Sequence, residues 1–478
     1  MAINLSRNTK LFFTTNVTAA TGVITEGALL AANTFEIQVL DGYSFSQATT
    51  QSTIQISEAG DKPSRGQRAF NTSLDPVDFT FSTYIRPNKI GTYVSPAERV
   101  LWNALFGEAT IQAGAAGMLI NSLGRASTST AVATLATTTA IQRTVSGTAA
   151  DVAVGDVINI QGFTAAQDTY NDAVTVTNIA GTGPYTYTVE YSIAPLAAAG
   201  TTSTTSAATL AYAGQFAPGT AYSYVTSAGS NKNVLQKFGL IFLVDQVAYA
   251  VDNCVMDSVS VDFGLDAIAM CAWSGKGTTL RKIDNTRATL TNGTTSTAAN
   301  SNAAFITNKL STMTLGSQIG GADAASSVAY NIPITGGNIT IANNVTYQVP
   351  VNLSVVNKPI GYFTGQRSVT GNVTAYLRTG GADDSGALLI AQLAAGVEPA
   401  FKVQLNMGGT SATNRVEFEM PGAILQIPAV NVADVVATTI NFNAQGFDPA
   451  IQAVTPLGFD ITKNNDLTIR YFAAVAAA

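Results

Sequence analysis

One order of elements occurs twice along this chain, and that repetition limits the fold more than any other feature. Two polar loops, DKPSRGQRAFNT (61–72) and NKPIGYFTGQRS (357–368), each hold a Lys-Pro pair followed by a Gly-Gln-Arg triplet. Lys62, Pro63, Gly66, Gln67 and Arg68 thus match Lys358, Pro359, Gly365, Gln366 and Arg367. Upstream of the loops STIQIS matches VNLSVV, and further up NTKLFFTTN (8–16) loosely matches TNKLSTMTLGS (307–317). Downstream, SLDPVDFTFSTYIRP and SVTGNVTAYLRTG each lead into a helical stretch. A long hairpin and a closing strand follow in both halves, ending in IAMCAWSGKG and TTINFNAQGF.

Strand patterning dominates elsewhere. Alternating or β-branched runs at 35–40, 52–57, 77–85, 239–244, 258–263, 345–356, 372–377, 402–407, 415–420, 437–445 and 466–472 are bounded by Gly, Pro, Asn and Asp. Helices are expected at 95–107 and 383–396. In the first, Ser95 can cap, Pro96 takes the first helical position, and Val100, Leu101, Leu105 and Phe106 form the apolar side. The second opens at Asp383, Asp384 or Ser385 and closes at Gly396.

The fold class predicted is therefore mainly β: two tandem sandwich or partial-barrel domains, each with one short flanking helix, plus a small inserted Ig-like β domain. The first copy takes 1–124 and 226–288. The insert occupies 125–225, with three clear strands at VGDVINIQGF, DAVTVTNIAG and YTYTVEYSI between Ser/Thr/Ala-rich stretches that read as flexible linkers. A Thr/Asn/Ser linker at 289–302 precedes the second copy, 303–478.

Charged residues form 11% of the 478 and hydrophobic ones 46%, against roughly 25% charged in ordinary domains. So low a charge suits a surface covered by other subunits. A polar, uncharged Thr/Asn/Ser surface of a secreted protein is the alternative. A net charge of −6 argues against a protein that grips nucleic acid, because phosphate contacts need clustered cations. Cys254 and Cys271 read as buried thiols in preference to a disulfide. The N-terminus lacks a signal-peptide core, and FGLIFLVDQVAYAV carries Asp245 within it and Asp252 just after it, so it reads as a strand pair and not a membrane span.

There is no histidine, which removes the commonest general base, the usual metal ligand and any Ser-His triad. No P-loop, no dinucleotide fingerprint and no CxxC occurs. The expectation is a structural protein, not an enzyme, without cofactor or metal. Glu417 and Glu419 stand at i, i+2 and share one strand face. A solvated face is the plain reading. In a repeating assembly they could join Asp245, Asp252, Asp257 and Asp262 as a negative lining. The basic loops, with Lys62, Arg65, Gln67, Arg68, Lys358, Gln366 and Arg367, are either ordinary solvated loops or docking loops that pair with acids of a neighbouring ring.

On the two loop–strand segments SRGQRAFNTSLDPVDFTFSTYIRP and FTGQRSVTGNVTAYL, the helix after them, and VDNCVMDSVSVDFGLDAIAMCAWSGKG, the chain resembles the tail tube proteins of tailed phages. The resemblance covers both copies but not the insert. It implies rings of six such domains sharing a continuous sheet around an acidic lumen, stacked through long loops. With two copies per chain, a trimeric, pseudo-hexameric ring is the expectation, and six chains with one copy peripheral the second choice. The insert would decorate the exterior. Implied partners are the chain itself, tape measure, baseplate and terminator proteins, and DNA passing without specific binding. Its place would be the virion tail, assembled in the host cytoplasm without membrane insertion. Another tail component of the same fold (a terminator or baseplate ring) and a bacterial surface β-protein are the alternatives.

Overall fold

The structure, a computed structural model, describes residues 9–54, 68–106, 235–283, 305–317, 329–376, 400–445 and 467–472, apart from short breaks within these spans. It also describes 118–121 and the strands of a smaller sheet between 130 and 212.

The first set of strands is β1 (Thr9–Thr14), β2 (Thr34–Ile37), β3 (Ser44–Ile54) and β4 (Arg68–Tyr84), followed by the short pair β5 (Lys89–Ile90) and β6 (Tyr93–Val94), helix α1 (Arg99–Phe106) and β7 (Met118–Asn121). β4 is longer than its apolar alternation predicts. It begins inside the segment read as a polar loop and runs through Phe70 to Tyr84, because β3 pairs with it along most of that length. Strands β8 (Thr130–Ala131), β9 (Leu135–Thr137), β10 (Gln142–Gly147), β11 (Val157–Gln161), β12 (Ala173–Ala180), β13 (Tyr185–Glu190) and β14 (Thr209–Tyr212) form a separate seven-stranded sheet. β11, β12 and β13 fall where the sequence predicts strands. β8, β9 and β14 lie in stretches read as linkers.

The first set resumes with β15 (Phe238–Val244), β16 (Val247–Asp262), β17 (Met270–Gly277) and β18 (Thr279–Ile283). The second set comprises β19 (Thr312–Ser317), β20 (Ala329–Ile332), β21 (Ile334–Ala342), β22 (Thr346–Gln348), β23 (Gly361–Phe363), β24 (Ser368–Tyr376), β25 (Ala400–Met407), β26 (Arg415–Leu425), β27 (Ala429–Asn431), β28 (Ala437–Gln445) and β29 (Thr468–Phe472). The helix predicted at 383–396 lies outside the described residues.

The pairing scheme occurs twice. In the first set β1 pairs with β2 and β15, β15 with β16, β16 with β17 and β18, β17 with β4, and β4 with β3, all antiparallel. In the second, β19 pairs with β20 and β25, β25 with β26, β26 with β28 and β29, β28 with β24, and β24 with β21. One core site shows how close the correspondence is. In the first set Phe79 of β4 lies opposite Gly275 of β17, and a Cβ on Gly275 would stand 2.4 Å from the Phe79 ring. In the second set the residues are exchanged between strands. Gly371 of β24 lies opposite Phe442 of β28, and a Cβ on Gly371 would stand 2.3 Å from that ring. Each site holds one aromatic ring because there is room for only one.

Inward residues of both sets pack into one continuous core, from Leu11 and Phe79 through Trp273 to Phe418 and Tyr471. Helix α1 sits inside it. The sequence predicts one apolar side, but Val100 to Phe106 are all buried, Trp102 and Asn103 included. The ring of Trp102 meets Trp273 of the first set edge-on at 4.8 Å and Phe418 of the second at 6.4 Å. α1 therefore packs against both sets of strands. Cys254 and Cys271 are buried free thiols, and burial pushes both well above the ordinary thiol range.

Candidate functional site

The feature most able to carry function is where the two sets of strands meet. β16 belongs to two sheets. Its first part pairs with β15 and β18, and its last part with β17 and β21. The change occurs at Asn253, whose φ of 51° bends the strand; Asn tolerates that conformation better than most residues. Beyond the bend, Ser258–Asp262 pair in register with Ala342–Asn338 of β21. That single ladder joins β3–β4–β17–β16 to β21–β24–β28–β26 as one sheet. The outer edges of this sheet are β3 at one side and β27, which continues β26 along β28, at the other. Neither has a second partner among the described strands, and a bare edge offers a row of backbone donors and acceptors.

The two faces of the sheet differ. One packs on the core through residues such as Val259, Trp273, Ile339 and Val373. The other carries mostly Ser, Thr and Asn. Across the junction one row reads Ser82, Ala272, Ser260, Thr340, Thr370, Asn443, and the next Ser44, Thr80, Ser274, Ser258, Ala342, Ser368. Several of these side chains bond laterally: Ser44 to Thr80 at 2.8 Å, Ser258 to Ser274 at 2.7 Å, and Asn372 Nδ2 donating to Asn338 Oδ1 at 3.0 Å.

No protein-family model matches the chain. Over 461 residues, covering 93% of this chain and 73% of the relative, it is 27% identical to a protein described as tail tube protein pb6 of Escherichia phage T5. The chain is a homologue of a phage tail tube protein.

That homologue is a structural protein, not an enzyme. In this chain the sequence-predicted residues divide sharply. Lys62, Arg65 and Gln67 lie outside the described residues, and Arg68 opens β4. Lys358 and Gln366 are exposed and Arg367 is half-buried. The last residue of the first loop and the β4 residues after it meet the first residue of the second loop. Asn357 bridges in parallel to Ser73, the Leu74 N–H donates to Asn357 O at 2.8 Å, and the Asn357 N–H donates to Thr72 O at 3.2 Å. Around them Phe70, Val351, Ile360 and Phe363 are exposed.

The acids are corrected more heavily. Asp252, Glu417 and Glu419 are each at most 3% exposed, so they present no charge to an open surface. Period-2 spacing shows that Glu417 and Glu419 share a face; that face also holds the buried Gln404 and Asn406 opposite them. Asp252 is a structural clamp. Its Oδ2 accepts from Arg281 Nε at 2.6 Å and its Oδ1 from the Ile24 N–H at 2.9 Å, while Arg281 also pairs with Glu26. The hydrogen bond it donates to Asp252 holds the Arg281 guanidinium above its ordinary range. Asp245 forms the turn between β15 and β16 with φ 51°. Asp257 accepts from the Val345 N–H at 2.7 Å. Of the six, Asp262 alone stands on the open sheet face, where it accepts from Ser260 Oγ at 3.3 Å.

Sequence reasoning passed over Glu98 altogether. It is 2% exposed, just ahead of α1. Its Oε1 accepts from the Tyr471 hydroxyl of β29 at 2.7 Å and from the Arg86 N–H at 3.3 Å. Trp102 Nε1 donates to the same tyrosine oxygen at 2.7 Å. Glu98 Oε2 is buried with no hydrogen-bond partner among the described residues. Burial raises its carboxyl to about 7, against the opposing pull of Tyr471 and Arg86. A lone acid before a helix gives no signal of this in sequence.

Proposed function

We propose that the chain is the structural subunit of a phage tail tube and that it closes into rings of three. The subunit consists of two copies of one module, 1–124 with 226–288 and 303–478, linked by 289–302, with 125–225 inserted in the first and facing outward. The observation that carries this reading is the β16–β21 ladder. Aligning the two pairing schemes through Phe79–Gly275 and Gly371–Phe442 sets β27 residues Ala429–Asn431 in the place of Ser260–Asp262, and β3 residues Ser44–Ser46 in the place of Asn338–Thr340. The ladder formed within the chain can thus form again between chains, Ala429 opposite Ser46 and Asn431 opposite Ser44. Repeating it uses up both bare edges and closes the sheet on itself.

In such a ring the module bodies hang from the core face of the sheet. They need more circumference than the sheet does, so they lie outside, and the Ser/Thr/Asn face turns inward around a channel for the genome. The end that carries Phe70, Lys358, Ile360, Phe363, Gln366 and Arg367 is the surface through which rings stack. Tape measure, baseplate and terminator proteins are partners by the same reading.

Electron microscopy of the purified, concentrated chain tests this. Hollow tubes are expected, with rings of three chains whose inner density repeats six times. Separate compact particles, or rings built from six chains, would overturn it.

A further inference from the structure

The strand β29, near the C-terminus, joins the two sets of strands around one buried carboxyl. We propose that β29 is a latch between the sets and that the proton on Glu98 keeps it shut. This goes beyond the tube reading and does not rest on it, because every group involved lies within one chain.

β29 stands between a strand of its own set and a strand of the other. Thr468–Phe472 pair with Glu419–Arg415 of β26 on one side, and Thr468–Tyr471 with Asn121–Met118 of β7 on the other. β7 has no second partner among the described strands. It is also the last strand before the seven-stranded sheet begins at β8. β29 therefore anchors the stretch of chain that leads into that sheet.

Tyr471 fastens the latch. Its buried hydroxyl accepts from Trp102 Nε1 and donates to Glu98 Oε1, each at 2.7 Å, so one side chain of the second set is held by two of α1. The other groups around the carboxyl come from three elements. Arg86, just after β4, gives it a backbone N–H, while the Arg86 guanidinium bonds Gln38 and lies over the Phe305 ring. Cys271 of β17 faces it, with Asp262 of β16 beyond the thiol. Arg99 of α1 follows it in sequence and lies over the Phe35 ring. Burial pushes the Tyr471 hydroxyl and the Cys271 thiol well up, so both stay neutral where Glu98 titrates, and the arginines stay charged. Glu98 Oε2 meets no hydrogen-bond partner among the described residues. A neutral acid tolerates such a site and a carboxylate does not.

Ionisation therefore favours whatever brings Glu98 to water. α1 is buried along its length, whereas β29 is a single strand of five residues, so β29 is the smaller piece to release. Closed, the carboxyl titrates at about 7; in water it returns to about 4.5. The open form gains on the closed one about tenfold per pH unit between those values and no further above them, about 300-fold in all.

Hydrogen exchange of the full chain, corrected for its intrinsic pH dependence, tests this. Amides of Thr468–Phe472 should exchange while those of Ser258–Asp262, in the ladder with β21, are still protected. Their exchange should accelerate about 300-fold up to about pH 7 and then level. Glu98→Gln should remove the acceleration. Tyr471→Phe takes away a donor to the ionised carboxyl, so there the acceleration should continue to higher pH before it levels. Equal rates in the two segments would show opening of the whole fold and overturn the latch. So would exchange of β29 that ignores pH, an acceleration that survives in Glu98→Gln, or levelling at an unchanged pH in Tyr471→Phe.

Discussion

Replacing Glu98 by Gln should make the chain more stable at alkaline pH and leave it nearly unchanged in acid. The carboxyl lies between Tyr471, Arg86 and the start of α1, with Cys271 of β17 and Arg99 of α1 also nearby. Burial lifts it from an ordinary 4.5 to about 7. The folded chain therefore holds this proton more tightly than the unfolded one. The stabilisation from that proton is complete below about 4.5 and is lost as pH rises through about 7. At about 1.4 kcal/mol for each tenfold change in proton affinity, the loss amounts to about 3 kcal/mol. Gln is neutral at every pH and still offers an oxygen to Tyr471, so it escapes the loss. Thermal unfolding of both proteins from pH 5 to pH 8.5 checks this. Their midpoints should nearly coincide at the acid end and separate by about 5–10 °C at the alkaline end, if the cooperative unit is of module size. A separation that stays constant with pH would refute the reasoning. Tyr471→Phe gives a second check. It removes a donor that favours the ionised form, so the pH at which wild-type stability declines should move upward.

The exchanged aromatic–glycine sites predict a compensating pair. Gly371→Phe alone has no room beside Phe442, and Phe442→Gly alone leaves a cavity costing about 3–5 kcal/mol. The double variant, which copies the arrangement of the first module, should recover most of that loss in denaturant unfolding; strictly additive losses would contradict the equivalence. Arg281→Ala strands the buried Asp252 carboxylate and should cost about 3–5 kcal/mol. Arg281→Ala with Asp252→Asn should cost less than the single change, as a double-mutant cycle would show.

The alternation of Ser258–Val261 is plain in sequence, and so is the strand that carries it; β21, whose first half is the Gly-rich ITGG, was not anticipated. The matched Lys-Pro and Gly-Gln-Arg groups likewise made the repeated order legible. Strand ends were harder, because pairing and not propensity fixes them: β4 extends to Arg68 only because β3 is there to bond it. The β16–β21 ladder could not be read at all. Its residues lie some eighty positions apart, and their pattern is that of any half-buried strand. Spacing placed Glu417 and Glu419 on one face but said nothing of what covers that face, which is why a solvated lining was expected and a buried one found. Glu98 depends on a tyrosine from the far end of the chain, and no local pattern encodes such a contact.

The claim on which the account stands is that the ladder inside the chain is repeated between chains. Ser44→Cys combined with Asn431→Cys places one thiol on each bare edge, at positions that the register sets opposite each other; the native Cys254 and Cys271 are buried. Oxidation of assembled protein should give a ladder of covalent dimers and trimers that stops at a closed trimer, with each single variant remaining monomeric. A product that continues to six chains, or no cross-link in well-formed tubes, would contradict it.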